Sequence, residues 1–166
     1  MKKREKKAQI QLSFGMIFSI IIIIATLVVA FYVISYFLNL NKCTQIGLFY
    51  SSLQGEVNKA WQADMIQKTF AGKLPSGIAK LCFGNSSQMP LQEDREEYEY
   101  FKSHAKTGYN MLFYPAGKAC DGELAFNKLE HIRTDNFFCV PVKSGNAGVV
   151  LFKESTDALV KLRKIE

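Results

Sequence analysis

The chain has 166 residues, 48% of them hydrophobic, and a formal net charge of +6. That length holds one anchor and one modest domain and excludes a second full domain, since domains commonly run to about 100 to 150 residues. The charge is uneven: Lys2, Lys3, Arg4, Lys6 and Lys7 face only Glu5 at the tip, and a basic cluster set against an apolar segment reads as membrane topology and not as a nucleic-acid footprint.

No charged residue separates Lys7 from Lys42. The strongly apolar part, Phe14 to Leu38, would rise about 37 Å as a helix, enough to cross a hydrocarbon core of roughly 30 Å with some tilt. Inside a bilayer every backbone N–H and C=O must be paired within the segment, which selects a helix even through the β-branched run Ile20 to Ile24. The basic flank predicts a cytoplasmic N-terminus and sends residues 42–166 across the membrane, with Tyr32 and Tyr36 suited to the far interface. An ordinary secretory signal has an apolar region of about 7 to 15 residues and a small-residue cleavage site. This one is longer and lacks an A-x-A ending after Leu38, so the helix is expected to be retained. Gly15 with Ser19, then Ala25, Thr26 and Ala30, allow close approach of another helix in lipid.

Beyond Cys43, the residues Ile46, Phe49, Leu53, Val57, Ala60, Trp61 and Met65 recur at steps of three and four, predicting an amphipathic helix that ends near Phe70. Either it continues the membrane helix or "NLNK" breaks the two apart; both fit the pattern. Trp61, on the apolar side, is the candidate that docks this stem to the sheet. The chain thus divides into a basic cytoplasmic leader (1–8), a transmembrane helix (9–41), an amphipathic stem (42–71) and an extracytoplasmic domain (72–166).

In that domain, Ile78 to Phe83 reads as a strand between glycines. "LQEDREEYEYFKSHAK" reads as a helix closed by Gly108, with its carboxylates at the end where the helix dipole favours them and on a solvated face. "YNMLFYP" is a strand stopped by Pro115, and "LAFNKLEHI" fits helix or strand. "NFFCVPV" and "AGVVLFK" flank the turn signal "KSGN" and predict a hairpin, whose first strand Pro141 demotes to an edge or a bulge. "TDALVKLRKI", with Thr156 as N-cap, predicts a short terminal helix. The fold class expected is α+β: a long N-terminal transmembrane and amphipathic helix, then a small antiparallel-sheet domain with accessory helices.

Cys43, Cys82, Cys120 and Cys139 all follow the span, and four cysteines in a small translocated domain predict two disulfides. Of the three connectivities, Cys43 with Cys82 and Cys120 with Cys139 would each bracket one local unit. A four-thiolate zinc site would show paired spacings such as C-x2-C, and none is present. His104 and His131 sit in no catalytic or metal-binding motif, and the chain has no G-x-S-x-G, phosphate loop or dinucleotide fingerprint. The reading is therefore non-enzymatic, without cofactor or metal. Asn85-Ser86-Ser87 is a glycosylation sequon in a loop-like stretch.

The stretch Lys7-Ala8-Gln9-Ile10-Gln11-Leu12-Ser13-Phe14 resembles the class III signal peptide of archaeal type IV prepilins: a basic leader, a small residue, a Gln-led motif and a long apolar helix. The resemblance implies cleavage between Ala8 and Gln9 on the cytoplasmic side, with the apolar helix kept to pack in a filament core. The chain departs from that pattern in carrying Ala8 where Gly is usual and Ser13 where many members carry Glu. The span, cysteine and amphipathic-helix order also resembles that of small archaeal membrane proteins. The expected function is a single-pass cell-surface protein in contact with membrane lipid, either a pilin-like subunit self-assembling through its apolar helix or an anchored binding module or accessory subunit of a membrane complex.

Overall fold

The computed structural model describes residues 14–165 and divides into two compact units, one ending at Leu38 and one beginning at Asn39. The candidate cleavage residues Ala8 and Gln9 lie outside the described residues.

Helix α1 spans Phe14–Gln62 and is helical through Asn39 to Thr44, where the sequence left a break open. In the first unit α1 is long and apolar enough to cross a membrane, and its large apolar side chains from Met16 to Leu38 are exposed. In water so many exposed isoleucines and valines would be prohibitive; lipid removes that cost.

The second unit is α+β. Its strands are β1 (Ile66–Lys73), β2 (Lys80–Phe83), β3 (Met111–Tyr114), β4 (Phe126–Asn127), β5 (Ile132–Arg133), β6 (Phe138–Pro141), β7 (Asn146–Lys153) and β8 (Val160–Arg163), with helix α2 at Arg95–His104. They form two four-stranded sheets, ordered β1-β7-β8-β5 and β4-β3-β2-β6, in which every pair is antiparallel except β5 with β8. The part of α1 past Leu38 buries Ile46, Phe49, Leu53, Val57 and Ala60, one helical face at the spacing the sequence predicts. Phe49 meets Phe70 of β1 edge-on at 5.4 Å and Phe113 of β3 at 5.9 Å, so one α1 residue joins the two sheets.

Three local expectations are corrected. The stem helix stops at Gln62 instead of reaching Phe70, because Ile66–Lys73 pairs along its whole length with β7. That ladder stabilises a segment whose helical phase ran on only through Met65. The C-terminal segment is a strand and not a helix: Val160 and Leu162 are buried while Lys161 is half-buried and Arg163 exposed, a period of two matched to β7. The acidic helix is not simply a solvated face, since Asp94 and Glu97 are buried at 2% and 4% exposure.

The predicted hairpin forms its turn but not its ladder. Ser144 and Gly145 both have positive φ (50° and 73°), the backbone of a tight two-residue turn, and Lys143 and Asn146 exchange both backbone hydrogen bonds at 2.9 Å. The next hydrogen-bonded pair would need an N–H from Pro141, which has none. The strands part there, β6 becoming the edge of one sheet and β7 an inner strand of the other.

Candidate functional site

The disulfides join Cys43 to Cys120 and Cys82 to Cys139, which corrects the expected pairing. Register is the reason: β2 and β6 place Cys82 opposite Cys139, with Cα atoms 3.9 Å apart. The Cys139 N–H points away from β2 to Asp94 Oδ2 at 2.9 Å, so the two cysteines share a non-hydrogen-bonded position, where opposed side chains come closest. Cys43 on α1 is left to reach Cys120, and one helical turn earlier Asn39 Nδ2 donates to Asp121 Oδ2 at 2.6 Å. A covalent and a polar tie thus hold the Cys120-Asp121 turn to the start of the second unit.

The buried carboxylates belong to the same edge. Asp94 caps the free N–H of β6, and Lys80 of β2 lies 2.8 Å from Glu97 Oε1 and 3.7 Å from Asp94 Oδ1. The hydrogen bond that Lys80 donates to Glu97 holds its ammonium above the ordinary lysine range, against desolvation that pulls the other way. Asp94, Glu97 and Cys139 come close enough to suggest a metal site. Their chemistry does not support one: the Cys139 sulfur is bonded to Cys82, Asp94 Oδ2 already accepts from the Cys139 N–H, and the Lys80 ammonium pairs with Glu97 Oε1, leaving only Glu97 Oε2 without a partner among the described residues. The cluster closes a sheet edge.

Trp61 lies at the rim and not within the buried face, 39% exposed. Its indole stacks on His131 at 3.9 Å and donates from Nε1 to Ala158 O at 3.1 Å, so it ties the end of α1 to the segments beside β5 and β8. His104 stacks on Tyr100 at 4.3 Å at the end of α2. Each histidine is thus occupied by an aromatic neighbour. Ser19 Oγ donates to Gly15 O at 2.8 Å, placing both on one exposed side of α1. Asn85 is exposed in the loop after β2.

Two surfaces were not anticipated. On α1, opposite the buried face, lie Leu40, Thr44, Gly47, Leu48, Ser51 and Gly55, without a charged residue among them. Leu48 is 63% exposed, and a Cβ added at Gly47 or Gly55 would meet nothing within 4 Å. Gly47, Ser51 and Gly55 stand four residues apart, so they stack on one line; that spacing is visible in the sequence once the buried phase of α1 is fixed. The second is a cavity of about 460 Å³ in the wedge where β6 and β7 part, floored by Ala71, Val140, Pro141 and Gly148 with Lys143 and Lys164 beside it. Pro141 signalled the edge but not the opening. The chain matches no protein-family model, no curated protein and no solved structure.

Proposed function

We propose that the chain is a single-pass, N-terminally anchored cell-surface protein, with its leader in the cytoplasm and its disulfide-bonded domain outside, that assembles through α1 as a pilin-like subunit of a surface filament. The basic flank and the apolar half of α1 support the anchor. Two disulfides support an oxidising compartment for the domain.

The uncharged outer face of α1 carries the assembly reading. A surface helix ordinarily presents charged residues to water opposite its buried stripe. Here the outward arc from Leu40 to Gly55 presents none, and it spends two glycines at mid-helix positions, each costing roughly 0.5 to 1 kcal/mol relative to alanine. Among the described residues, nothing lies within 4 Å of where a Cβ on either glycine would sit. Close packing against α1 of a neighbouring copy fills that space, and Gly15 with Ser19 offers the same spacing in the apolar half.

The second reading, an anchored binding module or accessory subunit, draws its support from the wedge cavity between β6 and β7. The mass of the mature N-terminus, together with electron microscopy of material sheared from cells, separates the two. The filament reading requires loss of residues 1–8, retention of the apolar helix and filaments that contain the chain. An intact N-terminus with no such filaments overturns it and leaves the anchored module.

A further inference from the structure

We propose that Asn85 is an N-glycosylation site that accepts an oligosaccharide from a polyprenyl-phosphate-linked donor. Asn85-Ser86-Ser87 is the one N-x-[ST] triplet in the chain, and neither the middle residue nor the residue that follows is proline. The inference rests on the topology proposed above, because such donors meet their acceptors on the far side of the membrane.

The structure adds accessibility and a suitable side-chain state. Gly84 is buried, but Asn85, Ser86 and Ser87 are all exposed, so the chain emerges from the sheet just at the triplet. The loop is held from behind. Tyr98 Oη donates to Ser86 O at 2.8 Å, Asn85 N–H donates to Gln88 Oε1 at 2.9 Å, and Gln88 is itself bonded to Thr134 through both ends of its amide. These bonds use backbone atoms and Gln88, leaving the side chains of the triplet outward. Asn85 Oδ1 accepts from Ser87 N–H at 2.9 Å, while Nδ2 donates to no group among the described residues. A glycan on Nδ2 therefore replaces no internal hydrogen bond.

In the transfer, Asn85 Nδ2 forms a bond to C1 of the first sugar as the bond from C1 to the donor's phosphate oxygen breaks. Nδ2 gives up one proton, and the lipid phosphate leaves with the bonding pair. No oxidant or reductant is needed. The Ser87 hydroxyl is the recognition group two residues on, so threonine serves at 87 and alanine does not.

The test is peptide mass spectrometry of the full-length protein purified from membranes of its native host, on the tryptic fragment Leu81 to Arg95 after reduction and alkylation. In parallel, sealed cells are treated with external protease to establish the side of the domain. The expected result is a sugar mass on that fragment, lost in Asn85→Gln and Ser87→Ala, kept in Ser87→Thr, with both disulfides still formed in all three variants. A protease-accessible domain whose fragment appears only at its unmodified mass overturns the glycosylation and leaves the topology standing. A domain that external protease cannot reach in sealed cells, while lysed cells expose it, overturns both.

Discussion

Lys153 Nζ, at the end of β7, donates to the carbonyl oxygens of both Trp61 (2.6 Å) and Ala63 (2.7 Å), where α1 ends. The last carbonyls of a helix have no intrahelical partner, and they carry the negative end of its dipole. An ammonium from a strand distant in sequence satisfies two such oxygens at once and so caps the end that the β1–β7 ladder imposes. Lys153→Met keeps the stem of the side chain and removes the donor. It is expected to destabilise the domain by about 1 to 2 kcal/mol, a charge-assisted bond discounted for partial exposure. Trp61 is the only tryptophan, so its fluorescence during denaturation of the full chain in detergent measures the loss directly.

The disulfides differ in access. Cys82 and Cys139 are 0% and 1% exposed, whereas Cys43 and Cys120 are only half-buried. A small thiol reductant under native conditions should open Cys43 to Cys120 well before Cys82 to Cys139, as read by alkylation and peptide mapping in time. The bridges close loops with separations of 77 and 57 residues. Replacing either pair with serine should cost about 4 kcal/mol in the chain-entropy account. Simultaneous labelling of all four cysteines would contradict the difference in burial.

Lys80 makes the edge cluster dependent on pH. Its folded value is raised by the bond to Glu97, so its contribution is complete below the unfolded lysine value of about 10.4 and declines as pH rises through the folded one. The Tyr114 hydroxyl, pushed up by its bond to Glu96, weakens the fold in the same alkaline direction. Comparison with Lys80→Met isolates the lysine. That variant leaves Asp94 and Glu97 buried without their cation and should lose about 2 to 3 kcal/mol at pH 7. This is below the roughly 3 to 5 of a fully buried pair, because Lys80 keeps a third of its side chain in water. The gap between wild type and variant, from urea melts at pH 7 to 11, should hold to about pH 10 and narrow above it.

Gly84 adopts φ +135°, and a Cβ there would lie 2.8 Å from the Phe137 Cα, a backbone atom that cannot rotate aside. Gly84→Ala therefore combines conformational strain with a clash and should cost about 2 to 4 kcal/mol. Gly108 also has positive φ (94°) but open space around it, so Gly108→Ala should cost only about 1 kcal/mol. Equal losses in thermal melts would show that the Phe137 contact is irrelevant.

What the sequence revealed was local, and what it concealed was pairing between distant segments. The span, the α1 face from Ile46 to Ala60, α2 and the edge role of Pro141 follow from charge, period and the chemistry of single residues. The end of α1 was missed because Met65 keeps the helical phase while β7, some 80 residues on, claims Ile66–Lys73. The same holds for "TDALVKLRKI", whose alternation in Val160 to Arg163 is too short to outweigh an N-cap signal until β7 is in place. Cysteine connectivity went astray for this reason too: the opposition of Cys82 and Cys139 is a property of β2 and β6 together. On the functional side, the sequon and the small-residue pair Gly15 and Ser19 stand out in the sequence as candidates. The face of Gly47, Ser51 and Gly55 was not, because glycines become informative only once the buried side of their helix is known.

In the assembly proposed above, that face separates folding from self-association. Gly47 and Gly55 lie within α1, and among the described residues nothing stands within 4 Å of a Cβ added at either, so replacing both with leucine relieves two poor helix formers and lets the new side chains start into open space. The isolated chain should become more stable by about 1 to 2 kcal/mol. Yet two branched side chains would hold a neighbouring helix off a surface now flat enough for close approach. Gly47→Leu with Gly55→Leu should therefore raise the denaturation midpoint in detergent while abolishing filaments, or any higher-order species trapped by cross-linking in intact membranes. Alanine at both positions, smaller than leucine, should weaken assembly less while giving a similar gain in stability. A leucine double variant that is more stable and assembles at the wild-type level would show that this arc of α1 faces solvent in the working protein, and self-association would then have to run through the apolar half of α1 alone.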